Sequence, residues 1–142
     1  MEPGELLFEL LRREGIRSVK YGDDRGETGA DTVLLDGRPV ASITLLAAQV
    51  DGREVETVEN LGSIHDLHPI QQAYLDTGAV QCGYCTPGMI LTTKALLEEK
   101  ENPEDDEIKI ALDGNLCRCT GYYKPIDAVQ EAAESVKGEI PT

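Results

Sequence analysis

The chain has 142 residues, enough for one ordinary domain or two small ones. Its 13 basic and 27 acidic residues give a net charge of −14, which repels phosphate backbones and anionic lipid surfaces and argues against nucleic-acid and membrane partners. No apolar run is long enough to cross a bilayer, and the start, Met1-Glu2-Pro3-Gly4-Glu5, lacks the basic and apolar pattern of a secretory signal, so a cytoplasmic protein is expected.

The first sixty residues read as mixed α and β. Leu6, Leu7, Leu10 and Leu11 lie at helical spacing within Glu5 to Arg13, with Gly15 as the stop. Thr32-Val33-Leu34-Leu35, the turn Asp36-Gly37 and Pro39-Val40-Ala41-Ser42-Ile43 predict a β-hairpin. A short helix is expected over Thr44 to Ala48, a turn at Asp51-Gly52 and a strand over Glu54 to Val58. Residues 61–67 read as a linker.

Beyond the linker the pattern is helical. Pro69 opens a helix to about Asp76, closed by Gly78. Pro87 opens a second, Gly88 to about Lys100. A third runs from about Glu104 to Leu112 and ends at Gly114. Pro125 opens a fourth, through about Val136, with Gly138 after it. The order helix, glycine, cysteine pair, threonine, helix occurs twice, as Ile70 to Pro87 and as Ile108 to Pro125.

All four cysteines fall in those two repeats, as Cys82-Gly83-Tyr84-Cys85 and Cys117-Arg118-Cys119. Closely paired cysteines in a chain without an export signal favour metal over disulfides. Four thiolates suffice for one zinc ion or one [2Fe–2S] cluster. The Cys-x-Cys pair suits neighbouring ligands on one iron of a binuclear cluster, and each pair precedes a helix N-terminus whose amides stabilise anionic sulfur. Spacing alone leaves both metals open.

Gln81-Cys82-Gly83-Tyr84-Cys85-Thr86-Pro87-Gly88-Met89 and Gly114-Asn115-Leu116-Cys117-Arg118-Cys119-Thr120-Gly121-Tyr122 resemble the two signature stretches of the iron–sulfur subunit of the molybdenum hydroxylases, the xanthine dehydrogenase and aldehyde oxidoreductase family. His68-Pro69-Ile70-Gln71-Gln72-Ala73 and Thr32-Val33-Leu34-Leu35-Asp36-Gly37 resemble it too. The resemblance implies an α+β fold: a ferredoxin-like β-grasp domain over residues 1–60, the linker 61–67, and a four-helix [2Fe–2S]-binding domain over 68–142. It implies Cys82, Cys85, Cys117 and Cys119 as ligands of one cluster. Gln81 and Cys119 would lie against the pterin of a molybdenum cofactor carried by a large partner subunit. Electrons would pass from that subunit to this chain, and a flavin (FAD) subunit usually receives them.

The chain departs from the family pattern in its first half. The plant-type ferredoxin spacing Cys-x4-Cys-x2-Cys…Cys falls on Asp23, Thr28, Asp31 and Ile43, so all four thiolates of a second cluster are missing. Carboxylates, a hydroxyl and an isoleucine do not replace thiolates around iron and sulfide. Asp23, Asp24, Glu27 and Asp31 match no calcium-loop spacing, and a solvated acidic loop is expected. The β-hairpin that normally precedes the first helix is also missing from the sequence. An exposed sheet edge and a thin core are expected, with a partner covering the edge or a true start upstream.

Three functions follow: an electron-transfer subunit with one cluster, a structural adaptor whose cluster is mainly a staple, and a free-standing zinc module. His65 and His68 flank a helix start and are expected to cap or cover it rather than catalyse. Tyr84, Tyr122 and Tyr123 are expected to shield the centre, Arg118 to offset its charge or meet the partner, and Met89 to join the core.

Overall fold

The computed structural model of the chain describes residues 3–137. Met1 and Gly138, which entered the sequence reading, lie outside the described residues. The leucine repeat forms α1 (Leu7–Arg13). The Glu9 carboxylate accepts the Leu6 N–H at 3.0 Å, which satisfies one amide that the first turn leaves free.

The hairpin is present as β1 (Thr32–Leu35) and β2 (Arg38–Ala41), antiparallel, with Thr32 opposite Ala41 and Leu35 opposite Arg38. Asp36 and Gly37 both take positive φ, 49° and 78°, as a two-residue hairpin turn of this twist requires. A short β3 (Val55–Glu56) pairs antiparallel with the other side of β1, giving the order β2-β1-β3. It is shorter than the strand expected over Glu54 to Val58, because Val58–Asn60 coils into a 3₁₀ turn. Ser42 and Ile43, expected to end β2, instead open a 3₁₀ turn, Ser42–Thr44, and a second follows at Ala47–Val50. The single helix expected over Thr44 to Ala48 is thus split. Asp31 supplies the reason: its carboxylate accepts the Ile43 N–H at 2.8 Å and its carbonyl the Ser42 hydroxyl at 2.7 Å, pulling the chain out of the strand.

The second half is helical, as the sequence indicates: α2 (Pro69–Asp76), α3 (Thr86–Glu99), α4 (Asp105–Leu112) and α5 (Tyr123–Ser135). His68 caps α2: its Nδ1 accepts the Ile70 N–H at 3.2 Å, and Gln71 Oε1 accepts the His68 N–H at 2.9 Å. That is the capping role expected of it. Ile70, Tyr74, Met89, Leu97, Ile108 and Val129 form the heart of the helical core, and Val58 and Leu61 pack onto it.

A second apolar cluster, Leu7, Val19, Val33, Leu35 and Val50, serves the first half. It covers one face of β1. The other face, with Thr32 and Leu34, meets α3, so all four residues of β1 are buried. The core expected to be thin is therefore completed by the helical half. Lys94 of α3 spans the junction, bonding Glu56 of β3 at 3.1 Å and Glu98 at 2.6 Å. The sheet edges are short, and β2 carries Pro39, which limits their use as a template for other strands. No helix among the described residues is long and apolar enough to cross a membrane.

Candidate metal centre

Each cysteine pair is held by a helix start. Cys85 is the N-cap of α3, and Cys82 lies on the turn before it, where Gly83 takes φ +82°. Cys117 and Cys119 lie on the loop that enters α5 through Tyr122, a non-glycine residue at φ +70°. That conformation is costly for a side-chain-bearing residue and needs local compensation. Here the Tyr122 phenol oxygen accepts the Cys117 N–H at 2.8 Å, and the Tyr122 N–H reaches the Thr120 hydroxyl at 3.3 Å. The same hydroxyl donates to Cys117 Sγ at 3.1 Å.

The sulfurs meet across the two loops. Cys85 lies against Cys117 and Cys119 against Cys82, all four as free thiols lining one cavity. Burial, and then the bond to Cys117, push the Cys85 thiol up to about 12. Burial works upward on Cys117 too, but it is outweighed by hydrogen bonds from the Thr120 hydroxyl and the Thr120 and Cys119 amides, which hold that thiol below its usual value. Cys119 is raised, mainly by its bond to Cys82.

Among the described residues no three His, Cys, Asp or Glu side chains converge as a single metal ion requires. The four thiols nevertheless line one cavity between two helix starts. The donor set, four thiols with amide and hydroxyl donors around one of them, fits a [2Fe–2S] cluster.

The first half walls this site. Tyr21, Gly22, Thr28 and Ala30 face the four cysteines across a cavity of about 280 Å³. The Tyr84 hydroxyl donates to the Tyr21 carbonyl, and the Leu116 N–H donates to the Thr28 carbonyl at 2.8 Å. Asn115 is buried between the halves. Its Nδ2 donates to the Gly29 carbonyl and to the Thr32 hydroxyl, both at 3.2 Å, and its Oδ1 accepts from Thr92 at 2.8 Å. Gly88 lets α3 approach: a Cβ there would stand 2.4 Å from the Gly29 carbonyl oxygen.

The loop 22–31 does not fit a second cluster. Asp23 turns its carboxylate inward and accepts the amides of Arg25, Glu27 and Thr28 at 2.7, 3.0 and 2.8 Å. The Glu27 amide and the Thr28 hydroxyl and amide lead in holding that carboxyl well below the usual carboxylate range. Asp31, at 2% exposure, is committed to Ile43 and Ser42. Ile43 is buried, and its Cγ2 would stand 3.7 Å from a Cβ on Gly26. The expected solvated acidic loop holds for Asp24 and Glu27, which are exposed, whereas Asp23 and Asp31 serve as internal acceptors.

Of the remaining expected residues, Gln81 and Arg118 are exposed beside the cysteines. Tyr122 is built into the ligand loop and Tyr84 covers it, but Tyr123 is 79% exposed and shields nothing within the chain. His65 is exposed and lies outside the site. Lys20 falls in no motif, and Asn115, although within the second signature stretch, carries no sequence signal of its burial between the halves.

Fold and sulfur arrangement define an iron–sulfur protein of the [2Fe–2S]-binding class. Residues 57–130 match the [2Fe-2S] binding domain family. The nicotinate dehydrogenase small FeS subunit of Eubacterium barkeri is 50% identical over 134 residues, 94% of this chain and 85% of that one. The xanthine dehydrogenase iron-sulfur-binding subunit of Escherichia coli O157:H7 is 47% identical over 135 residues, again 94% and 85%. The crystal structure of the aldehyde oxidoreductase from Desulfovibrio desulfuricans ATCC 27774 superimposes with a TM-score of 0.94 at 40% identity, over 98% of this chain and 16% of that larger one. The chain belongs to the [2Fe–2S]-binding small-subunit family of the molybdenum hydroxylases.

Proposed function

We propose that the chain is an electron-transfer subunit, with Cys82, Cys85, Cys117 and Cys119 holding one [2Fe–2S] cluster next to a molybdenum-cofactor subunit. The observation that carries this reading is the convergence of all four thiols on one cavity, at the starts of α3 and α5. When bound, the cluster stores and releases one electron at a time. The protein's part is to fix four sulfurs, to supply hydrogen bonds to them and to limit water.

Exposure of Gln81 and Cys119 supports their placement against the pterin of the large subunit. The large subunit then covers the cysteine face. Loop 22–31, with Asp23 turned to its own amides and Asp31 committed to Ile43 and Ser42, offers no relay through the first half. A flavin subunit or other acceptor must therefore receive electrons from the remaining cluster or through another subunit.

The test is substrate reduction of the assembled complex, followed by electron paramagnetic resonance. The reading expects a [2Fe–2S] signal with substrate as well as with dithionite, and its loss in Cys82→Ser and Cys117→Ser. A signal that dithionite elicits and substrate never does would make the chain a structural adaptor.

A further inference from the structure

Lys20 lies in the first half, yet its ammonium lies over the ring of Tyr84, which belongs to the Cys82–Cys85 turn of the second. Its backbone N–H donates to the Ala30 carbonyl at 3.0 Å, tying it to the loop that walls the site. Its Nζ stands 5.7 Å from the centroid of the Tyr84 ring and donates to the Ser18 carbonyl at 3.3 Å. Tyr84 falls between Cys82 and Cys85, and its hydroxyl bonds the carbonyl of Tyr21, the residue after Lys20. One short segment, residues 20–21, thus clamps the Cys82–Cys85 turn by a cation on the ring face and an acceptor on the ring's hydroxyl.

Among the described residues no carboxylate lies within ion-pair distance of Lys20. Glu59 is the acidic group whose field it feels most, and Glu59 is itself engaged by the Ser18 N–H at 3.0 Å. Lys20 is half-buried, so water screens it less than it screens exposed Arg118.

We infer that Lys20 sets the reduction potential of the [2Fe–2S] centre held by Cys82, Cys85, Cys117 and Cys119, raising it by placing an unneutralised ammonium beside the Cys82–Cys85 turn. The sign follows from charge: reduction adds one electron, hence one negative charge, and a nearby cation stabilises the reduced form more than the oxidised one. Burial lowers the Lys20 pKa, the field of Glu59 acts to raise it and that of Arg12 to lower it. The half that lacks a cluster thereby acts on the cluster that remains. This inference rests on the proposed ligation by the four cysteines.

The test is a mediated dithionite titration of the assembled complex, following the one-electron [2Fe–2S] signal. Lys20→Gln should keep its cluster content and lower the midpoint, so that the reduced-to-oxidised ratio at a fixed poise falls by about threefold to tenfold; tenfold is about 59 mV for one electron. Lys20→Arg, which keeps the charge, should stay near the parent midpoint. A parent-like midpoint in Lys20→Gln, or an equal drop in Lys20→Arg, overturns the inference. Should Lys20→Gln fail to retain iron, Glu59→Gln decides. Removing the opposing charge should raise the midpoint, and no rise would overturn the inference. A parent complex with no [2Fe–2S] signal is a different result: it removes the ligation itself.

Discussion

Asp23 shows how one residue can take over from an inorganic group. Three amides of its loop need an acceptor, and its carboxylate supplies one. Its pKa is depressed below the ordinary 3.8, led by the Glu27 amide and the Thr28 hydroxyl. A depressed carboxylate contributes stability that is present above its unfolded pKa and is lost as pH falls through the folded value. Asp23→Asn should therefore melt below the parent at neutral pH, and the gap should narrow as pH is taken progressively below 3.8. Thermal melts across that range check it; a gap that does not change with pH contradicts the role.

Asn115 is the second decisive residue. Truncation to alanine removes the acceptor of the buried Thr92 hydroxyl and the donor that ties Gly29 and Thr32 to the second half, although Thr32 and Gly29 still bond each other. The expected cost is about 2 kcal/mol in urea denaturation. Asn115→Asp should do no better, because a carboxylate oxygen would then face the Gly29 carbonyl. Full stability in either variant would show that the halves are held elsewhere.

At the scale of elements, α3 carries the fold. It begins at the N-cap Cys85, buries one face of β1 and meets β3 through Lys94. Gly88 is what lets it lie so close. Gly88→Ala puts a methyl 2.4 Å from the Gly29 oxygen and 2.9 Å from Asn115 Nδ2. The strain should cost about 1–3 kcal/mol and speed the loss of iron to a chelator; unchanged melting and unchanged iron release would refute it.

Most of these elements are legible in the sequence because their signals are local. Pro69 and Pro87 mark the helix starts, Gly78 and Gly114 their ends, and Asp36-Gly37 the hairpin turn. What is not legible depends on partners distant in the chain. Ser42 and Ile43 read as strand by composition, but Asp31, more than ten residues away, bends them into a 3₁₀ turn. The cross-loop pairing of sulfurs likewise depends on how two helix pairs face each other, which Cys-x-Cys spacing does not encode. Lys20 stands out only once Tyr84 is folded beneath it.

At the scale of the whole molecule, the two halves are interdependent. The first half has a small apolar cluster of its own and completes its sheet against α3. In return it supplies one wall of the cysteine site through residues 21–30. Loop 22–31 offers no thiolate, so the proposed ligation gives the chain one cluster, held by its second half. Iron, zinc and acid-labile sulfide analysis of the purified complex, with spin integration of the dithionite-reduced chain, tests that claim most directly. The account predicts about two irons and two sulfides attributable to this chain, in a single [2Fe–2S] signal of about one spin. Zinc without sulfide, or a second [2Fe–2S] signal that persists when Cys82 and Cys117 are replaced, would contradict it.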